Sequence, residues 1–470
     1  MHRSLNTALL LIILAIFILL YHQAFGYHML IYKITLWLSF FATILFFFDS
    51  SNTKWKKNLL RPSVLLLFGL VIIVYQNPID LLLENYATRG NILHSTPHKD
   101  QVFLLGAISY VSYIIGYSFL DKSFNSTKNN YEKSDLKILV GISVVLFLLF
   151  LITIDASFFS GEDYIESGSI TNTHTNNWEF LLNIINTAII SQYTINNQDK
   201  TLSIKQYIGG LPKSFIFIFI IYIILRLISG SRAPVLRAIL LMVFSFIYIN
   251  RKQYIKNYII IGFIIIGGFI FSVISYSRGI VGTDFKDKYQ LGIELFTQSS
   301  SISPTTEELA RSQSCDVASV EIFDYEYKHH TNGLIQLRYL ITLIIPNRIL
   351  SIIWPTEIKH LGSAYFLTSY RMGDNAESGM GTTLHSDFYV DFGIWGMILC
   401  MILMGLLFKK IDATLFSKKN LLFSPFIIVL CISLGASSLY LARAAFIPLL
   451  RGPIFAYVIV VINQIISRKI

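Results

Sequence analysis

The densest group of residues able to hold a charge or move a proton lies between Tyr370 and Gly396. Arg371 offers a planar cation. Glu377, His385 and Asp387 offer three candidates for orienting or deprotonating a hydroxyl nucleophile. Asp387 and Asp391 are four residues apart, which puts both on one helix face. Gly373, Gly379 and Gly381 allow tight backbone turns between these groups. Blander readings stand beside the chemical ones. Asp391 would fall inside an apolar span, where a salt bridge to an arginine of another span would account for it. His385 could be an ordinary interfacial histidine.

A second set is made of arginines. Arg226, Arg232 and Arg237 surround the turn Ser229-Gly230-Ser231-Arg232-Ala233-Pro234. Arg278 follows Ser275-Tyr276-Ser277, and Arg443 and Arg451 flank the last short turn. Arginine suits bidentate recognition of phosphate or carboxylate. Alternatively, such side chains can snorkel to lipid headgroups.

The elements that would position these groups follow from composition. The chain has 470 residues, 54% hydrophobic and only 14% charged. Soluble domains carry roughly 25% charge, so this chain cannot cover a water-facing surface. A soluble enzyme, a disulfide scaffold and a disordered chain are excluded. Cys315, Cys400 and Cys431 form no pairing framework and no metal spacing. The expected fold is an all-α polytopic membrane protein. Twelve apolar runs reach the length a crossing needs: 5–21, 28–48, 59–75, 101–119, 136–154, 179–195, 214–229, 234–249, 257–275, 388–408, 421–440 and 446–466. The sixth, with Asn183, Asn186 and Gln192, is the weakest. The first reads as a retained signal anchor, because Tyr21-His22-Gln23 follows it rather than a cleavage site.

Lys and Arg orient these spans. With both termini in the cytoplasm, every inner loop is basic, as the positive-inside rule requires. That pattern uses the net charge of +10 for orientation and leaves no case for nucleic acid. It also separates the two basic residues: seventeen Lys and four Arg fall inside, against eleven Arg and six Lys outside or at outer span ends. Arginine kept on the unfavoured side favours a phosphate site. The chain divides into a nine-span region (1–275), a large outer loop (276–387) and a three-span region (388–470). Long loops tend to carry function. Within this one, Ser303-Pro304-Thr305-Thr306-Glu307-Glu308 signals a helix start. The apolar segment 334–354, broken by Arg338, Pro346 and Arg348, fits an interfacial or re-entrant stretch. No phosphate-binding Gly-Lys-Ser/Thr loop, Gly-x-Ser-x-Gly elbow or His-Glu-x-x-His motif occurs. No inner loop is large enough for a nucleotide-sugar transferase domain.

The run Gly379-Met380-Gly381-Thr382-Thr383, followed by Phe388-Tyr389-Val390-Asp391-Phe392-Gly393-Ile394-Trp395-Gly396 entering a span, resembles the bacterial O-antigen polymerases (the Wzy class). So do Gly230-Ser231-Arg232 opening a span, Ile345-Pro346-Asn347-Arg348 with Trp354-Pro355, and the single dominant late outer loop. Some of that family carry paired Arg-x10-Gly motifs; here the nearest spacing is Arg371 to Gly381. The resemblance implies a glycosyltransferase of the inner membrane, with a fold like the membrane-embedded (GT-C-type) lipid-donor enzymes. It would polymerise repeat units carried on undecaprenyl pyrophosphate, at the periplasmic face. A chain-length regulator could be its partner. On this view Arg232, Arg278, Arg443 and Arg451 hold pyrophosphate, and Arg371 holds pyrophosphate or sugar. His385, Asp387 or Glu377 would act on the acceptor hydroxyl, and Tyr370 and Tyr389 would stack on sugar rings. No metal or other cofactor is implied, since arginine can stabilise the leaving group. The nearest rival is an O-antigen ligase handing glycan to lipid A, which His385 keeps open. A lipid-linked oligosaccharide flippase is the rival of another class.

Overall fold

The computed structural model describes residues 2–468 apart from 25, 48–57, 84–91, 120–123, 126–132, 155–157, 159–172, 230, 251–261, 263–266, 269–271, 274–284, 299–302, 304–305, 346–361, 374–378 and 417–422. Among the described residues every regular element is helical. The first group is α1 (His2–Gln23), α2 (Met29–Phe47), α3 (Pro62–Leu82), α4 (Lys99–Phe119), α5 (Lys137–Thr153), α6 (Thr173–Asn197), α7 (Ile204–Gly209), α8 (Lys213–Ile228) and α9 (Arg232–Ile249). The large loop forms α10 (Phe285–Thr297), α11 (Glu307–Ala310), α12 (Ser314–Val320), α13 (Leu334–Ile344) and α14 (Ser363–Met372). The last group is α15 (Leu384–Leu415), α16 (Pro425–Leu441), α17 (Phe446–Leu449) and α18 (Arg451–Ser467). Helices are the expected answer for apolar segments, because a lipid-facing backbone must satisfy its own polar groups. Their starts follow local rules: Pro62 and Pro425 stand in the first turns of α3 and α16, where a missing N–H costs nothing.

Seven helices are long and apolar enough to cross a bilayer: Ser4–Gln23, Met29–Phe47, Pro62–Leu82, Lys99–Phe119, Arg232–Ile249, Leu384–Leu415 and Phe446–Ser467. This is a polytopic membrane protein. Helices also stand over the other expected spans, except that 257–275 lies largely outside the described residues. Of these, α5, α8 and α16 have 17, 16 and 17 residues, fewer than the roughly 20 of a typical crossing. A helix, α11, starts within the segment expected to open one, and α13 covers 334–344 of the apolar segment 334–354. Its remainder, 346–354, is outside the described residues.

Two apolar cores organise the bundle. One joins α1, α2, α3, α4 and α15 with the loop helices, through residues such as Phe17, Phe103, Val317, Phe323 and Leu367. The other joins α5, α6, α8, α9, α16 and α18, through Ile185, Phe215, Phe244, Ile432 and Val460. The loop helices α11 to α14 therefore share the core of the first half. They form a cap on α3, α4 and α15 rather than a body with a core of its own. Inside that half, α4 and α15 touch backbone to backbone. A Cβ on Gly116 would lie 2.0 Å from the Ile402 carbonyl oxygen, and one on Gly405 2.2 Å from that of Tyr113. Small residues at a crossing allow such an approach.

The 32-residue α15 is not straight. Gly393 has φ 66° and ψ −170° inside it, a region that is essentially glycine-only. From Ile394 to Leu415 the helix spans roughly 33 Å at 1.5 Å per residue, enough for a bilayer core. The turns from Leu384 to Phe392 stand beyond the kink, among the cap helices.

Candidate functional site

A cavity of about 550 Å³ opens between α6, α9 and α16, with the turn before α18 at its rim. Arg232, Arg237 and Arg443 line it, with Asn183, Asn186, Thr187, Ser231, Ser433, Ser437 and Tyr440. Its apolar wall includes Phe180, Ile184, Phe219, Leu236 and Leu241, and Leu309 of α11 reaches it from the cap. Among the described residues no carboxylate lines it. Three arginines lining one half-open space give it a positive lining, whose field the low-dielectric surroundings strengthen. The arrangement is complementary to a multiply charged anion.

The neighbouring arginines are used differently. Arg226 is paired with Glu179: its Nε donates to Oε1 at 2.6 Å, and a second contact joins Nη2 to Oε2. Tyr222 donates to the same Oε1 at 2.8 Å, and the guanidinium stacks over Phe150 and Phe158. Arg451 lies over Phe180 and Phe455, at 5.1 and 5.8 Å, behind the cavity wall that Phe180 forms.

The polar run that opens α15 is built as a fastening for the cap. Asp316 of α12 meets His385 Nε2 at 2.9 Å. It also accepts from Thr383 Oγ1 at 2.6 Å and Ser386 Oγ at 2.5 Å. Asp387 accepts from Gln336 Nε2 of α13 at 3.0 Å and Ser363 Oγ of α14 at 2.5 Å. Asp391 accepts from the backbone N–H groups of Gly333 and Gln336, each at 2.8 Å, and from Thr331 Oγ1. It caps the N-terminus of α13, which has no cap of its own because Gly333 precedes it. The expected salt bridge from Asp391 to an arginine is replaced by these donors, and the kink at Gly393 separates Asp391 from the crossing part of the helix. His385, Asp387, Asp391 and Asp316 are all fully buried. Tyr389 is also buried; it donates to Asp324, which accepts from Tyr21 as well, at 2.5 Å.

At the outer surface of the cap, Arg371 meets Glu321 at 2.8 Å and Tyr370 donates to Glu326. Both acids lie in a π turn, Glu321–Glu326. Burial, then the Glu326 carboxylate that accepts its proton, pushes the Tyr370 hydroxyl up to about 12. Beneath, burial pushes the Cys315 thiol up to about 12, with Asp316 adding to it.

The structure thus brings Arg232 and Arg443 together in the cavity and sets Arg451 behind its wall. It places His385, Asp387 and Tyr389 within the fastening, and Arg371 and Tyr370 on the cap. Arg278 and Glu377 lie outside the described residues. Arg237 was visible in the sequence as part of an arginine cluster. Asn183, Asn186, Ser433, Ser437 and Tyr440 went unrecognised as site residues. Their signal was the spacing of Asn183 with Asn186 and of Ser433 with Ser437, which puts each pair on one face of an apolar helix.

Searches of curated proteins and of solved structures gave no match. A family model does match, over residues 4–469 and so over nearly the whole chain. With its polytopic helical fold and its anion-complementary cavity, the chain belongs to the O-antigen polysaccharide polymerase Wzy family.

Proposed function

We propose that this polymerase extends its glycan on a lipid carrier, undecaprenyl pyrophosphate, at the periplasmic face of the bacterial inner membrane, with both termini cytoplasmic. The growing chain is transferred to the next carrier-linked repeat unit. The observation that carries this reading is the cavity lined by Arg232, Arg237 and Arg443, with no carboxylate lining it among the described residues. In the transfer, a hydroxyl of the acceptor sugar attacks the anomeric carbon of the donor sugar. The bond from that carbon to the diphosphate oxygen breaks, its electron pair leaves with the diphosphate, and the hydroxyl proton goes to a base. Negative charge grows on the leaving diphosphate, and preorganised guanidinium groups favour that state over the ground state. Arg278 belongs to the same proposed anion site.

His385 and Asp387 hold the cap in this arrangement, so we assign them positioning roles. Glu377 becomes the proposed base. Tyr370 and Arg371, on the accessible side of the cap, are the proposed sugar contacts. A polysaccharide chain-length regulator is the protein partner such an activity calls for. The test is a gel of surface lipopolysaccharide from a strain lacking the gene, beside its carrier-linked glycans. The expected result is core bearing a single repeat unit, with the ladder lost. Bare core with long glycan on the carrier would make the chain a ligase. Bare core with single units on the carrier would make it a flippase.

A further inference from the structure

The cap carries an apolar surface that its own packing leaves uncovered. It is on α13, whose 11 residues reach roughly 16 Å at 1.5 Å per residue, too short to cross a bilayer. The inner face of this helix is fixed to the protein. Ile335 and Gln336 are buried, Gln336 donates to Asp387 of α15, and Asp391 caps the helix start. The opposite face is made of Leu334, Leu337 and Leu340, with Ile341 between them, all within about 120° of the helix circumference. Leu334 and Leu337 are 57% and 52% exposed, and Leu340 nearly as much. Arg338 and Thr342 follow along one edge of this stripe.

Its surroundings identify what covers it. The stripe continues onto a surface that faces lipid. Trp395, Leu399 and Leu403 recur at four-residue spacing on the crossing part of α15, and all three are exposed, Trp395 at 65%. The exposed Phe392 joins the two surfaces. A Cβ on Gly333, just before α13, would lie 3.2 Å from its ring, and one on Gly396 would lie 2.1 Å from its Cβ. The level matches as well. Helix α13 packs against α15 and against α17, which joins the end of α16 to the start of α18. Those are ends of apolar helices, where a bilayer begins. Trp395 is of the type that collects at such a boundary. Arg338 can lay its stem along the stripe while its charge reaches the headgroups. In water, leucines on successive turns beside two aromatic rings would form a patch of the kind that soluble monomers avoid.

We propose that α13 is embedded in the lipid leaflet on the cap's side, with its leucine face among the acyl chains. The cap is then a membrane-inserted body, held to lipid by α13 and to the spans by the acids that open α15. Lifting it would draw the leucine face into water. The proposal is independent of what the arginine cavity holds.

The test is site-directed spin labelling of the full-length protein in nanodiscs of phosphatidylethanolamine and phosphatidylglycerol. Leu334→Cys, Leu337→Cys and Leu340→Cys are made one at a time, with Cys315, Cys400 and Cys431 replaced by Ser. Leu399→Cys on α15 gives the lipid reference. Tyr327→Cys, between the exposed Glu326 and Lys328 on the cap, gives the water reference. Oxygen concentrates in the acyl region and a nickel chelate in water, so the ratio of their collision rates reads depth. The three α13 sites are expected to give a ratio near that of Leu399→Cys and several-fold above that of Tyr327→Cys. A ratio matching Tyr327→Cys overturns the proposal by placing the face in water. Labels shielded from both reagents also overturn it, because protein then covers the face. Should the chain without native cysteines fail to fold, benzoylphenylalanine replaces Leu337 in the otherwise native chain, with radiolabelled phospholipid present. Crosslinking to phospholipid is expected there and not when the same group replaces Tyr327. Equal crosslinking at both positions, no lipid crosslink at Leu337, or a crosslink to a second copy overturns the proposal.

Discussion

Arg226 and Arg237 lie on neighbouring helices of the same turn and are put to different uses. Arg226 is tied to Glu179 and stacked on two aromatic rings. Arg237 lines a cavity with no acid lining it among the described residues. Breaking a buried pair leaves the surviving charge uncompensated, at a cost of roughly 3 kcal/mol. Arg226→Ala should therefore lower the thermal midpoint of the purified protein and its yield in membranes. Arg237→Ala should leave the midpoint unchanged or slightly raised and abolish polymer. Melting curves beside lipopolysaccharide gels check both. Equal loss of stability in the two variants would sink the distinction. Sequence alone could not separate them, because Glu179 sits 47 residues from Arg226 and only the packing of α6 on α8 joins them. The same limit applied to His385 and Asp387. Their chemistry was legible, but their partners, Asp316, Gln336 and Ser363, come from three helices of the loop.

The opening turns of α15 act as one element. Thr383, His385, Ser386, Asp387, Tyr389 and Asp391 each engage the cap or the acids within it. The Phe392-Gly393-Ile394-Trp395-Gly396 run that suggested the family is the kink below them. A Cβ on Gly393 would lie 2.8 Å from His330 Nε2, in a backbone region that costs about 1–3 kcal/mol for other residues. Gly393→Ala should lower stability by about that amount, read from denaturant or thermal unfolding; a neutral substitution would mean the kink is dispensable. His385→Ala removes the contact of the buried Asp316 Oδ2, which should loosen α12. With Cys400 and Cys431 replaced by Ser, maleimide labelling of the buried Cys315 should then speed up by about tenfold or more, the equivalent of 1.4 kcal/mol of local opening. Unchanged labelling would count against the fastening role. The length of the apolar runs made most of the long helices readable. The kink was not, because its glycine is specified by φ and by the His330 ring, neither of which has a local signature.

At the scale of the molecule, two apolar cores share α15, α16 and α3 as neighbours, and the cap reaches the cavity through Leu309. Asn77 of α3 donates to the Ala310 carbonyl at 2.9 Å and to Gln313 Oε1 at 3.1 Å, which holds α11 at that rim. Hydropathy and the positive-inside pattern exposed the polytopic class and the prominence of the loop. Which loop helix meets which span depends on contacts hundreds of residues apart and could not be read. The central claim is that the arginine cavity is where the carrier's diphosphate is held during polymerisation. Its most direct test is a strain whose only copy carries Arg232→Ala, Arg237→Ala and Arg443→Ala, expressed at wild-type level and correctly inserted. The expected gel shows core with a single repeat unit and no ladder. A ladder of wild-type length and amount would contradict the account.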